Sequence, residues 1–397
     1  MEISHGWSYP QCGFSGTLNR LRPGSSGGTA APFTGEWMRY VLIGTEASQF
    51  AGKARSYLRW KGVAFDEKMA TPEVYRDIIE PRVGFAVVPV LLTPDNQTIQ
   101  DTADIIDHIE RAEPGPSAYP AGPIQKLVSL LLELYADEWL VIPATHYRWT
   151  YNEAWITEDL GRTASPAASR DEQIRIGQVV AAPMKDSIPR MGVSEETISG
   201  IEAHYEGFLA DYSAHLRRTP FVLGDRPSLG DFALFGPLYG PLYRDPASGE
   251  RMRTMAPVVV AWVERMLAAK GGGELLPNDE IPPTIHPILK RQMTEQLPVL
   301  IQSAEALREW SLVQPKGARI KRSLGTHEFT IGGRRGERSI MSFSLFRLQR
   351  VQDHYRSLTG ADRQRADELL EAVGGRALAT LELPVRLDRR DYRLVIG

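Results

Sequence analysis

The spacing of apolar positions changes period several times along the chain. Residues 40–44, "YVLIG", form a short continuous apolar run that predicts a buried strand. Phe50, Ala54, Tyr57 and Leu58 then recur at i, i+4, i+7 and i+8, one face of a helix, and Gly62 sits where such a helix ends. "VAF" at 63–65 predicts a second strand, and "TPEVYRDIIEP" at 71–81 a helical turn or two with Pro72 near its start. "AVVPVLLTPDNQTIQ" supplies two strands around a "PDN" turn. "DTADIIDHIERA" predicts a helix with Asp101 as N-cap and Ile105, Ile106 and Ile109 as its stripe. The order from 38 to 112 is βαβ, helix, ββα.

"EPGPSAYPAGP" (113–123) carries the Pro and Gly of a linker, and the texture then turns helical. "IQKLVSLLLELYADEWLVIPATHYRWTYNEAW" is long and periodic, and Pro143 is expected to kink it. Ser194 is the expected N-cap of "SEETISGIEAHYEGFLADYSAHLRR"; Thr197 stands where a capping box places Glu or Gln, so half of that motif is expected. No strand-like alternation interrupts 123–310. Beyond Gly317, "THEFTIGG" and "YRLVIG" read as strands, "FSLFRLQRVQDHYRSL" and "DRQRADELLEAVGG" as helices. The expected division is an N-terminal extension (1–37), an α/β domain (38–112), a linker (113–122), an all-α domain (123–315) and an α+β C-terminal extension (316–397).

Composition narrows this picture without redirecting it. The 397 residues are 42% hydrophobic and 24% charged, ordinary for a globular chain. A net charge of −3 makes no global case for nucleic acid or membrane as partner, and no apolar run approaches the ~20 residues of a membrane span. The one cysteine, Cys12, allows no intramolecular disulfide or cysteine zinc site, in keeping with a cytoplasmic setting. Residues 1–37 lack both hydrophobic periodicity and a signal-peptide core, so Met38 is expected to be the natural start.

Candidate chemistry begins at "GTEASQFAGKAR". Seven residues separate Gly44 from Gly52-Lys53 and Ala54 follows, whereas a phosphate-binding Walker loop needs four residues and a terminal hydroxyl. That reading fails. HExxH, GxSxG and GxGxxG are absent, so no metal site, serine-hydrolase elbow or dinucleotide fingerprint is expected. The basic stretch Lys316, Arg319, Lys321, Arg322, Arg334, Arg335 and Arg338, against Glu328 and Glu337, fits an anion or RNA site, but a solvated edge is the commoner explanation.

An N-terminal βαβ–α–ββα unit followed by helices resembles the glutathione transferase superfamily, with its thioredoxin-like domain and helical bundle. "SQFAGKAR" is similar to the Ser-Pro-x-x-x-Lys-x-Arg of members with a catalytic Ser, with Gln49 in place of the proline. "VVPVL" matches the Val-Pro whose peptide is cis in that fold. "QDTADIIDHIE" resembles the Glu-Ser-x-x-Ile signature, with Asp101 and Thr102 for Glu and Ser; Ser228 and Asp231 match the family's Ser-x-x-Asp capping box.

The resemblance implies glutathione as cosubstrate, a small hydrophobic electrophile as partner, a homodimer and a role in detoxification. It makes Ser48 the residue stabilising the thiolate. Val88 and Pro89 then present backbone to the cysteinyl part, and Asp101 and Thr102 take the γ-glutamyl ammonium and carboxylate. Arg82 is a candidate for a glutathione carboxylate, and Trp139, Tyr147 and Trp149 for the electrophile pocket. Plainer readings stand beside these: Ser48 and Asp101 as helix caps, the aromatics as core, Lys53 as a solvated charge, His146 as a packing residue. At the level of function, the alternative is a non-catalytic module of the same fold used for protein interaction.

Overall fold

The computed structural model describes residues 38–397; the Met38 and Cys12 expectations concern or adjoin residues outside that range. Its first part runs β1 (Tyr40–Gly44), α1 (Gln49–Lys61), β2 (Phe65–Met69), α2 (Pro72–Val74), a π-helical turn (Tyr75–Ile79), α3 (Glu80–Val83), β3 (Val90–Leu92), β4 (Thr98–Gln100) and α4 (Thr102–Ala112). The sheet order is β2-β1-β3-β4, with β2 parallel to β1 and the other pairs antiparallel. This is the thioredoxin-like arrangement. β1 is central and buried throughout, which its unbroken apolar sequence requires. The second strand is "FDEKM", not "VAF": it lies at the sheet edge with mostly polar side chains, so it carries no apolar run to betray it.

Ser48 caps α1 by accepting a hydrogen bond from the Ala51 N–H at 3.2 Å, and Gly62 ends the helix at φ 80°. A β-carbon on Gly44 would come within 2.7 Å of the Ala51 Cβ, so glycine there lets the first turn of α1 fold close over the end of β1.

Helices fill the next part: α5 (Pro123–Glu138), α6 (Val141–Tyr151), α7 (Glu153–Ala164), α8 (Arg170–Lys185), α9 (Ile198–Leu216), α10 (Leu229–Tyr239), α11 (Pro246–Met255), α12 (Pro257–Ala268) and α13 (His286–Ser311). The predicted kink is a break at 139–140, four residues before Pro143, where the proline ring meets the carbonyl it displaces. At α9 the capping differs from expectation. Ser194 is not the N-cap: the helix begins after Thr197, and residues 194–197 form a turn before it, in which Thr197 Oγ1 takes the Ser194 N–H at 2.9 Å while the Ser194 hydroxyl turns to Glu196. The Ser228–Asp231 box at α10 is complete. α7 and α8 pack as a close hairpin: a β-carbon on Gly161 would lie 1.7 Å from the Gln173 carbonyl oxygen.

The last part holds a hairpin, β5 (Ser323–Ile331) and β6 (Arg334–Met341), turned by Gly332 and Gly333, both at positive φ. Then follow α14 (Ser342–Ser357), α15 (Gly360–Ala372), α16 (Arg376–Thr380) and a second hairpin, β7 (Leu387–Arg390) with β8 (Arg393–Ile396). β5 packs on α13, and α14 and α15 on α5, so the extension is continuous with the main core. A second apolar core joins the far face of the sheet, α2–α3 and the α7–α8 hairpin. Among the described residues, no helix is long and apolar enough to cross a membrane.

Candidate functional site

Strand register brings the three sequence motifs to one end of the sheet. Ile43 pairs with Val90 and Val90 with Gln100. Gly44, Pro89 and Asp101, each one residue beyond a paired position, therefore share the same edge. The Val88–Pro89 peptide there is cis. Ser48 stands at the end of the short loop that leaves Gly44, and its helix points its N-terminus at this edge.

That loop is fastened from the helical side. Arg148 donates from Nη1 to the Ala47 carbonyl at 2.8 Å and is clamped by Asp245 through Nε at 2.7 Å and Nη2 at 2.9 Å. Glu46 accepts from the Tyr239 hydroxyl and pairs with Arg55 at 3.3 Å. Ser48 itself is half-buried. Its oxygen accepts the Ala51 N–H, which leaves the hydroxyl proton free for an outside acceptor.

Asp101 is the most constrained residue at the edge. Its backbone lies at φ 87°, ψ 138°, outside the regions ordinary residues adopt. Oδ1 accepts from the Ala103 N–H at 2.9 Å and from Arg347 Nη2 at 2.5 Å. Burial pushes its pKa up, but Arg347, Arg389, the Ala103 N–H and Lys53 outweigh that and hold the carboxyl at about 2. Thr102, beside it, is fully buried.

Lys53 is not the solvated charge its helix position suggested. It is fully buried, donating to Glu133 at 2.9 Å and Asp137 at 2.7 Å of α5. Arg347 reaches Asp137 at 3.8 Å, and Arg350 reaches Glu133 at 3.6 Å and Asp107 at 2.7 Å. A buried ionic network thus joins α1, α4, α5 and α14. Arg389 adds bonds to the Gln100 carbonyl and to Asp104, and Tyr392 donates to the Thr98 carbonyl at 2.9 Å. The extension grips the β4–α4 junction along its length.

The remaining candidates separate. Arg82 bonds Asn96 and Thr98 at the turn of the β3–β4 hairpin, the end of the sheet opposite Pro89 and Asp101, so it does not reach the site edge. Trp139 is buried against Phe329 and Arg338 of the extension, its N–H on Glu295 at 3.3 Å. Tyr147 is buried against His146 and Tyr205. Trp149 alone shares a core with the site, in the cluster that holds Ala47, Val87 and Val88 beneath Ile156, Leu160, Val180 and Ala181 of the α7–α8 hairpin. His146 is a packing residue bonded to Glu202 and Thr150. Arg338, within the basic stretch, is buried rather than solvated. Among the described residues, no group of three or more His, Cys, Asp or Glu is arranged to hold a metal.

Sequence reasoning missed Arg148, Arg347, Arg350 and Arg389. Each is an arginine whose carboxylate or carbonyl partner lies at least 97 residues away; no local pattern marks such a pair.

No curated protein matches the sequence. Among solved structures, beta-etherase LigF from Sphingobium sp. strain SYK-6 is 19% identical, with 58% of this chain and 96% of that one covered at a TM-score of 0.45. A glutathione S-transferase from Methylobacterium radiotolerans, in complex with glutathione sulfonate, is 20% identical over 62% of this chain and all of its own, at 0.35. The tau-class enzyme of mango is 19% identical over 63% and 95%, at 0.36. Residues 42–117 match the family model for the glutathione S-transferase N-terminal domain and residues 195–265 that for its C-terminal domain. Both glutathione S-transferase domain models are thus matched, in that order, by the two parts of this fold.

Proposed function

We propose that the protein binds glutathione and activates its thiol at Ser48 for attack on a small hydrophobic electrophile, by conjugation or by displacement of a leaving group. The observation that carries this reading is the convergence of the α1 N-terminus, Val88–Pro89 and Asp101–Thr102 on one sheet edge. A thiol of pKa near ~8.5 is mostly protonated at pH 7. A hydroxyl donor and the positive end of a helix both favour the thiolate. Ser48 would supply the hydroxyl without ionising, and the N-terminus of α1 that it caps the positive end. Val88 and Pro89 would hold the cysteinyl part, Asp101 and Thr102 the γ-glutamyl end, and Trp149 with the α7–α8 hairpin an apolar wall for the electrophile. The homodimer and the cytoplasmic, detoxifying role belong to the same proposal.

One observation favours a second reading. Asp101 and Thr102 are at most 1% exposed and Asp101 already holds a guanidinium, as a non-catalytic interaction module of this fold would allow. Titration calorimetry with glutathione, followed by conjugation to an activated aryl halide, separates the two. We expect binding at millimolar glutathione or below. Ser48→Ala should lower kcat/KM at pH 7 by about 10-fold or more and move its pH profile toward the free thiol pKa. No binding at that concentration removes the enzyme reading; full activity in Ser48→Ala removes the role of Ser48.

A further inference from the structure

The two residues before Ser48 are both held from the helical part of the chain. Glu46 accepts the Tyr239 hydroxyl of α10, and the buried Ala47 gives its carbonyl to Arg148 of α6 at 2.8 Å. Arg148 is itself locked. Asp245 takes its Nε at 2.7 Å and its Nη2 at 2.9 Å, with 13% of the arginine side chain and none of the aspartate exposed. A guanidinium is flat, so seating two of its nitrogens on one carboxylate fixes the direction of the third.

Asp245 gives up a local role for this contact. It stands at the N-cap of α11, where a carboxylate ordinarily takes an N–H of the first turn, yet it makes no capping bond. Asn152 acts in its place, accepting the Ala247 N–H at 2.8 Å while its amide donates to the Tyr147 carbonyl at 3.0 Å. Those bonds tie the end of α6 to the start of α11 and keep Arg148 and Asp245 in register. Both carboxylate oxygens are therefore engaged on Arg148, and its remaining edge on one backbone carbonyl.

The peptide that owns this carbonyl leads directly to Ser48. Its plane also carries the Ser48 N–H, which donates to the Thr45 carbonyl at 3.3 Å. Held at both its oxygen and its N–H, the plane fixes where the Ser48 side chain leaves the backbone. The Arg148–Asp245 pair is balanced in charge, so it acts on the loop by position rather than by field.

We propose that Arg148 is a positioning residue for thiol activation: clamped by Asp245, it sets the Ser48 hydroxyl through the Ala47 carbonyl. The helical part thereby governs the thiol-activating loop of the thioredoxin-like part. This rests on the reading of Ser48 as the group that stabilises the glutathione thiolate.

The test uses the full chain with glutathione and an activated aryl halide. Arg148→Lys keeps a cation against Asp245, but an ammonium cannot hold two carboxylate oxygens and a carbonyl in one plane. It should lower kcat by about 10-fold or more, the scale of a small misplacement at a reacting group, with glutathione affinity within about 3-fold of wild type. The pH profile of kcat/KM and the ultraviolet absorbance of bound thiolate should both move toward the free thiol, as in Ser48→Ala. Arg148→Met with Asp245→Asn removes both charges together, should reproduce these changes, and replaces the lysine variant should that one not fold. The decisive comparison adds Arg148→Lys to Ser48→Ala. Once the hydroxyl is gone, losing its holder should lower kcat by less than about 2-fold further. An unchanged kcat, a wild-type pH profile, a loss confined to glutathione affinity, or full multiplication of the two losses overturns the role of Arg148 and leaves that of Ser48 standing. If glutathione fails to bind wild type, or Ser48→Ala is fully active, the reading of the site fails and this inference with it.

Discussion

Helices α10 and α4 each have a buried aspartate at or near their N-terminus, Asp231 in the first turn at 0% exposure and Asp101 as N-cap at 1%, yet their charges are held in opposite ways. Asp231 receives only neutral donors: the N–H groups of Val222 and Ser228 and the Ser228 hydroxyl, each at 2.9 Å, and the Trp262 N–H at 3.3 Å. Burial dominates there and pushes its pKa up to about 6. At Asp101 burial also pushes upward, but arginines from the extension hold the carboxyl at about 2. Asp231 has both oxygens engaged in ordinary backbone geometry. Asp101 sits at positive φ with one oxygen unpartnered. A structural helix start satisfies itself locally. Asp101 instead depends on strain and on charge brought in from the C-terminal extension.

The contrast makes graded predictions. Asp231→Ala strands four donors, so urea unfolding should show a loss of about 3–5 kcal/mol. A loss under about 1 kcal/mol contradicts its structural role. Asp101→Asn should cost about 3 kcal/mol, largely because Arg347 is left buried without its closest anion. Combined with Arg347→Met, the cost should be sub-additive by about 1–3 kcal/mol in a double-mutant cycle; simple additivity breaks the pairing.

The smallest effect is on pH dependence. Asp231, and Glu138 whose carboxyl is raised by burial to about 7, bind protons more tightly folded than unfolded. Their contribution is full below the unfolded value near ~4 and declines as pH rises through about 6 to 7. Asp101 and Glu133, each lowered to about 2, contribute fully above ~4 and lose it as pH falls toward 2. Thermal midpoints should therefore fall on both sides of an optimum near pH 4 to 5 from these groups. Glu138→Gln should flatten the alkaline limb and Asp101→Asn the acid one. A limb that keeps its slope in its variant rules out that assignment.

The same contrast explains what could be read in advance. Three of the four donors to Asp231 lie within nine residues of it, so Ser-x-x-Asp before an apolar run was sufficient. The partner of Asp101 is 246 residues away. Lys53 misled for a related reason. A lysine on a helix reads as solvated until the helix against it is known to carry Glu133 and Asp137. β2 escaped its boundaries because an edge strand needs no apolar run.

By itself, the sequence determined the order of elements from 38 to 112, the caps at Ser48, Asp101 and Ser228, and the likeness of three short motifs to a glutathione site; beyond Gly317 it missed the strands β6 and β7. What it determined depends on periodicity and on contacts a few residues long, which a linear pattern records. Only the tertiary structure decided that the motifs share one sheet edge, that Arg148 ties down the loop before Ser48, and that the extension sets Arg347 on Asp101. Those outcomes depend on buried charges finding partners across the chain, and the low dielectric that makes such pairs consequential exists only once the chain has folded.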